Sequence, residues 1–402
     1  MSQPGQIASQ IAGPTAPQAR IAGLDITRGA ALLGIFLMNI EGMADTLVQS
    51  MGGIDARLTG ADWWADAAIY VLVQGKFYTL FSLLFGIGFV LMSKRSEPRV
   101  FVRRMAVLGV IGLIHGVLIW SGDILLSYAI IGLALLLFRE VSVRWLWRIG
   151  GILYALAVLM LAGSLLLVVA MQHFGDFASL AEMYGEVDAA QRAAFGAGSY
   201  WRASGQRVLD VLLMMFGLMQ LGPVILAMFL FGMAWSKSGA LDDMAAHLPL
   251  YRRALWLGFG VGLPLMLLAA WLAPDIGDIH DLRGVAGMSL AWVAQLLMCF
   301  GYFAALMLIA RQRPNLLGWL APVGRMALTV YLLQSLISTW VFYGYGLGWF
   351  GEVSRAWQVV YVLAVFAVLV LFCHLWLARF RYGPMEWLWR WGSYGVRPAL
   401  RR

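Results

Sequence analysis

The chain has 402 residues, 61% of them hydrophobic and only 12% charged, with a formal net charge of +8. Soluble domains carry about a quarter charged residues, so this composition excludes a string of globular domains and makes the bilayer the main solvent. The two cysteines, Cys299 and Cys373, lie inside apolar runs; no disulfide framework, Cys-x-x-Cys site or metal-spaced cluster is present, nor is a Rossmann or P-loop fingerprint.

Residues 1–19, rich in Gln, Pro, Gly and Ala, lack a hydrophobic signal core and read as a disordered tail that is not a cleaved signal peptide. Apolar stretches of about 20 residues, long enough to cross roughly 30 Å of hydrocarbon, then recur with short polar connections. They fall near 26–44, 68–93, 101–120, 123–138, 145–171, 208–235, 252–272, 286–310, 324–344 and 356–378. These ten spans predict an all-α polytopic integral membrane protein with one transmembrane domain over residues 20–380. The outer connection near 172–206, with Glu182, Glu186, Asp188, Arg192, Arg202 and Arg207, reads as a helical cap over an outer cavity. Residues 381–402 mix aromatics with arginines and read as a basic amphipathic tail on the membrane surface.

Lys and Arg accumulate on the cytoplasmic side of membrane proteins. With the N-terminus inside and ten alternating spans, the inner segments hold 22 of the 29 basic residues, and the outer side holds 15 of the 21 acids. Both termini are therefore expected to be cytoplasmic. The positive charge is a topology signal, and no nucleic-acid partner is implied.

Ionisable groups at membrane depth are expensive and point to function or to a partner. The stretch Gly112-Leu-Ile-His115-Gly-Val-Leu-Ile-Trp120-Ser-Gly-Asp123 places an imidazole inside an apolar run and a carboxylate just beyond it. Arg104 lies eleven residues before His115, about 16 Å along a helix and nearly on the same face. Arg28 and Asn39 repeat that spacing in the first span, where Asp25 and Arg28 form an i,i+3 pair. Asp123 has two readings, a helix-start carboxylate favoured by the dipole or the group that holds His115 in one tautomer. Lys76 has two as well, snorkelling to the outer surface or contacting substrate. Tyr331, Gln334, Ser335 and Ser338 follow helical spacing and form one polar stripe, either interhelical glue or a cavity wall.

Several of these segments carry a resemblance. Leu24-Asp25-Ile-Thr-Arg28-Gly29, the run from Lys76 to Gly88, the His115–Asp123 stretch, the run from Gly324 to Ser335, and Tyr382-Gly383-Pro384-Met-Glu386-Trp387 resemble, in order, the YeiB-like bacterial family, domain of unknown function 418. The opening Leu-Asp-x-x-Arg-Gly is also similar to the first helix of the transmembrane acyltransferases, the group with heparan-alpha-glucosaminide acetyltransferase and the acyltransferase-3 proteins. Arg104-x10-His115 fits a spacing seen in the latter.

That second resemblance implies transfer of an acyl group from cytoplasmic acyl-CoA to a periplasmic or lipid-linked acceptor, in a bacterial inner membrane and without a metal. Arg28, Arg104, Arg99 and Arg325 would hold the CoA phosphates. His115 would act with Asp123 and Asn39 at the reacting centre, and Lys76, Glu41, Tyr331 and Gln334 would meet the acceptor. The alternative is a transporter of a small or lipid-linked solute with a proton-titratable site of His115, Asp123 and Lys76. Membrane lipids surround either, and self-association stays open.

Overall fold

The computed structural model describes residues 22–50, 52–174, 179–274, 279 and 281–402. The N-terminal tail, His280 and the side chain of Glu182 lie outside the described residues. Among the described residues there is no strand, only one isolated bridge between Phe380 and Arg401.

The first helix, α1 (Ala22–Ala44), is followed by the short α2 (Leu47–Ser50). Next come α3 (Gly60–Leu72) and α4 (Lys76–Ser93), joined at Gly75, whose φ of 82° puts the backbone in the left-handed region that glycine adopts without penalty. After α5 (Pro98–Leu118) comes α6 (Leu125–Leu133), which tightens into a 3-10 turn over Ala134–Phe138. The long α7 (Val143–Phe174), α8 (Ser179–Phe195) and α9 (Tyr200–Lys237) follow. α10 (Leu248–Trp256) continues through a π-helical stretch into α11 (Leu263–Leu272), then α12 (Leu282–Gln312). α13 (Pro314–Leu317), α14 (Ala321–Arg325) and α15 (Ala327–Phe342) precede α16 (Arg355–Arg379) and the terminal α17 (Pro384–Tyr394).

Eight of the helical stretches are long and apolar enough to cross a membrane. The expected span at 324–344 is a broken one, because α13–α14 and α15 meet at 79° around Met326. The span at 123–138 is a shorter apolar helix, Leu125–Phe138. Of the ten predicted stretches, eight are thus long apolar helices, one is a bent pair and one is a shorter helix. Each predicted segment is helical, but hydropathy does not register a break that leaves both halves apolar.

The chain is a multi-pass membrane protein. Its outward faces are apolar: Leu159 on α7, Phe216 on α9, Trp271 on α11 and Val368 on α16 are all more than half exposed. A soluble protein does not display that much apolar surface, whereas lipid covers it without cost.

The interior packs at close range through small residues. A Cβ on Gly324 would lie 1.8 Å from the Asp25 carbonyl oxygen, so glycine is required for α14 to press against α1. That contact carries Arg325 to the same end of the bundle as Asp25 and Arg28. Part of the 172–206 connection is helical, as α8. α8 lies against α2, where Gln191 accepts from the Leu47 amide at 2.9 Å and Arg192 pairs with Asp45 and Asp188.

Candidate active site

A cavity of about 380 Å³ opens between α1, α4, α5, α14, α15 and α17. Its mouth, at one end of the bundle, is lined by Arg28, Arg95, Arg104, Arg325 and Arg390, together with Asp25 and Glu386. Its interior is apolar and aromatic, with Phe81, Phe85, Phe89, Leu108 and Tyr128, and its wall includes Ile124, Leu125 and Tyr331.

The mouth is built by side chains that hold one another. Arg28 Nη1 donates to Asp25 Oδ1 at 2.9 Å, the i,i+3 pair expected from sequence. The Arg104 guanidinium lies 3.7 Å from the centre of the Trp389 ring, and the Trp389 indole donates to the Arg104 carbonyl at 2.8 Å. Thus α17 is seated on α5 and closes one wall of the mouth. Glu386 anchors its other end by accepting from the amides of Leu328 and Thr329 at 2.7 and 3.0 Å and from the Thr329 hydroxyl at 2.6 Å. Those amides are the orphan donors at the start of α15, left open by the break at Met326. Burial pushes the Glu386 pKa upward, and the hydrogen bonds from Thr329 and Leu328 oppose that rise.

Behind Tyr331 lies the histidine. His115 is 1% exposed, and its Nδ1 is 2.8 Å from Asp123 Oδ1. The other carboxylate oxygen, Oδ2, accepts from the Leu126 amide at 2.8 Å at the start of α6. Both readings of Asp123 are therefore realised by one side chain, an oxygen for each. A Cβ on Gly112 would come within 2.5 Å of the Leu126 nitrogen, so the α5–α6 turn can fold back over His115 only because residue 112 is glycine.

The carboxylate accepts, so Nδ1–H donates, and in the neutral ring Nε2 carries the lone pair. Nε2 is buried and has no hydrogen-bond partner among the described residues. Trp120, whose indole donates to the Gly42 carbonyl, and the Ser121–Asp210 hydrogen bond of 3.1 Å close the turn on the side away from the cavity.

The structure gathers some sequence candidates and disperses others. Arg28, Arg104, Arg325 and Tyr331 line the cavity, and His115 and Asp123 stand at its closed end. Arg99 is exposed at the start of α5, outside the cavity. Asn39 is half-buried on α1 and lines no part of the cavity. Lys76 does not snorkel: it is wholly buried at the α3–α4 break, where its Nζ donates to the Tyr70 carbonyl at 2.8 Å. Glu41 pairs with Arg355 at 2.9 Å, and Arg355 also binds Asp66 and Gln358, so this cluster ties α1, α3 and α16 together. Gln334 reaches the Leu32 carbonyl at 3.4 Å and Ser338 accepts from Tyr361, which makes the lower stripe interhelical contact. Arg95, Glu386, Trp389, Arg390 and Tyr394 were missed as site residues. The mixed aromatic and arginine pattern of the tail was the available signal, but it does not say which face turns inward.

Residues 235–396 match the family described as "Protein of unknown function (DUF418)". The chain is 32% identical to the uncharacterized protein YxaH of Bacillus subtilis (strain 168), over 95% of this chain and 96% of that protein. It is 33% identical to the uncharacterized protein YeiB of Escherichia coli (strain K12), over 91% and 94%. An uncharacterized 39.9 kDa protein from the amylase 3' region of Bacillus acidopullulyticus is 26% identical over 95% and 96%. No solved structure matches. Similarity of this extent, running nearly end to end, places the chain in the YeiB-like DUF418 family.

Proposed function

We propose that the protein is a membrane-embedded acyltransferase of a bacterial inner membrane that draws an acyl group from cytoplasmic acyl-CoA and delivers it to a hydroxyl or amine on the other side. The observation that carries this reading is one arrangement: a cavity lined by five guanidinium side chains and apolar walls, with Tyr331 in its wall and a buried His115–Asp123 pair directly behind Tyr331. Guanidinium forks suit phosphates, and apolar walls suit an acyl thioester arm. The positive-inside distribution supports a cytoplasmic position for the arginine mouth, where acyl-CoA is found.

The chemistry follows from the tautomer. Nε2 takes the proton of the acceptor as its oxygen or nitrogen attacks the thioester carbonyl, and the carbon–sulfur bond then breaks. The imidazolium is stabilised by Asp123 and returns the proton to the departing thiolate. An imidazole nitrogen kept unpartnered inside the protein costs about 1–3 kcal/mol, a cost with a purpose if a substrate proton is its partner. The test is release of free thiol from acetyl-CoA and longer acyl-CoAs by the purified protein in lipid nanodiscs. Wild type should turn over and His115→Ala should not, at equal folded content; equal turnover by both removes the assignment.

Transport is the second reading, favoured by the broken helix at Met326, since discontinuous helices mark the binding sites of many transporters. The freed amides at the start of α15 are taken by Glu386, however, and so are not open to an anionic solute. Uptake of a solute without thiol release would favour transport.

A further inference from the structure

We propose that Tyr331 is a catalytic residue: its hydroxyl donates a hydrogen bond to the oxyanion that forms on the acyl carbonyl while His115 removes the acceptor's proton. This rests on the acyl-transfer reading.

Two buried polar atoms here lack a complementary partner among the described residues: His115 Nε2 has no donor, and the Tyr331 hydroxyl, whose oxygen faces the Ile124 backbone, has no acceptor for its proton. Their rings are neighbours, with centroids 5.2 Å apart and planes tilted by 50°. Tyr331 lines the cavity, while His115 stands behind that wall. A buried hydroxyl without a partner costs about 1–3 kcal/mol, and phenylalanine would fill the same space without that cost.

The contrast with Tyr128 is informative. It lines the same cavity, yet its hydroxyl is 2.7 Å from Ser82 Oγ and donates to the Tyr78 carbonyl at 3.0 Å. The fold supplies an acceptor to one cavity tyrosine and none to the one beside the histidine.

The two unpaired atoms are complementary in kind. With Nδ1–H given to Asp123, Nε2 needs a donor, whereas the phenol O–H needs an acceptor. A thioester carbonyl under attack by a hydroxyl or amine brings both at once. The acceptor's O–H or N–H bond breaks and its proton goes to Nε2. The new carbon–oxygen or carbon–nitrogen bond pushes the carbonyl electrons onto oxygen, which the Tyr331 O–H meets. As the carbonyl re-forms, the carbon–sulfur bond breaks and the sulfur takes the proton from Nε2. Tyr331 keeps its own proton throughout.

The test is Tyr331→Phe, assayed with acetyl-CoA in nanodiscs. Because the hydroxyl removed has no acceptor for its proton and the ring is kept, its unfolding temperature should stay close to that of wild type. The rate constant kcat should fall by about 10²–10³, the usual loss for one oxyanion donor, with KM for acetyl-CoA near its wild-type value. An active wild type with Tyr331→Phe at the same kcat overturns the role of Tyr331 and leaves the acyl-transfer reading standing, as does a variant whose whole loss lies in KM. A wild type that consumes no acyl-CoA overturns both.

Discussion

Asp123 serves two donors with its two oxygens, the His115 Nδ1–H and the Leu126 amide. Asparagine in its place has one acceptor oxygen and one amide group that can only donate. If that oxygen keeps the Leu126 amide, the side-chain NH₂ faces Nδ1, which must then carry the lone pair, and the proton moves to Nε2. The base is lost while the fold is kept, because asparagine starts a helix as well as aspartate does. If the oxygen turns to Nδ1–H instead, the Leu126 amide loses its cap, a cost of about 1 kcal/mol, and faces another donor. A tautomer shift needs no backbone movement, so the first outcome is favoured. Asp123→Asn should therefore lower thiol release from acyl-CoA by a factor on the order of 10⁴, the scale of a wrong-tautomer histidine, with stability changed by less than about 1 kcal/mol. Asp123→Ala leaves both donors bare and should cost about 2–4 kcal/mol as well as activity. Turnover by Asp123→Asn within tenfold of wild type, at unchanged stability, would refute this account of the pair.

Other positions give distinct outcomes. Gly112→Ala puts a methyl 2.5 Å from the Leu126 nitrogen, so it should destabilise by about 1–3 kcal/mol in thermal unfolding and depress kcat by displacing Asp123. Arg104→Ala should raise KM for acyl-CoA about 10- to 100-fold with kcat little changed, the loss of a charged hydrogen bond to phosphate, as steady-state kinetics will show. Arg355→Met leaves Glu41 and Asp66 without their shared cation; unfolding should be easier by about 3–5 kcal/mol, and KM for acyl-CoA in the folded fraction should not move. Burial raises the Glu386 pKa above its ordinary 4.5, so the protonated form is the one the fold favours. Its contribution is complete below 4.5 and is lost as pH rises through the raised value, so wild-type unfolding temperature should decline across that window and Glu386→Gln should flatten the decline.

The helical segments were legible because lipid demands long apolar runs, and each run remains visible residue by residue. The break at Met326 was not, because what permits it is Glu386, sixty residues further on, filling the exposed amides of α15. The relation of Arg104 to His115 was legible from helical pitch, since one rigid element carries both. Asn39 shares the same spacing from Arg28, and α1 does turn that stripe, Arg28, Leu32 and Ile35, to the cavity, but the lining stops a turn short of Asn39; pitch gives a face but not how far along it the cavity extends. Lys76 and Glu41 stood out for the cost of burying charge, and each turned out to meet that cost with a local partner, the Tyr70 carbonyl and Arg355. His115 is the case where partnering stops halfway, at Nδ1, and only the structure could show that Nε2 is left without one.

The most direct measurement is a structure of the protein with a non-hydrolysable thioether analogue of acyl-CoA. The account predicts density in the cavity, with the phosphates among Arg28, Arg104, Arg325 and Arg390 and the acyl end within hydrogen-bonding reach of Tyr331 and His115 Nε2. An empty cavity at saturating analogue, or an analogue bound away from these arginines, would contradict it.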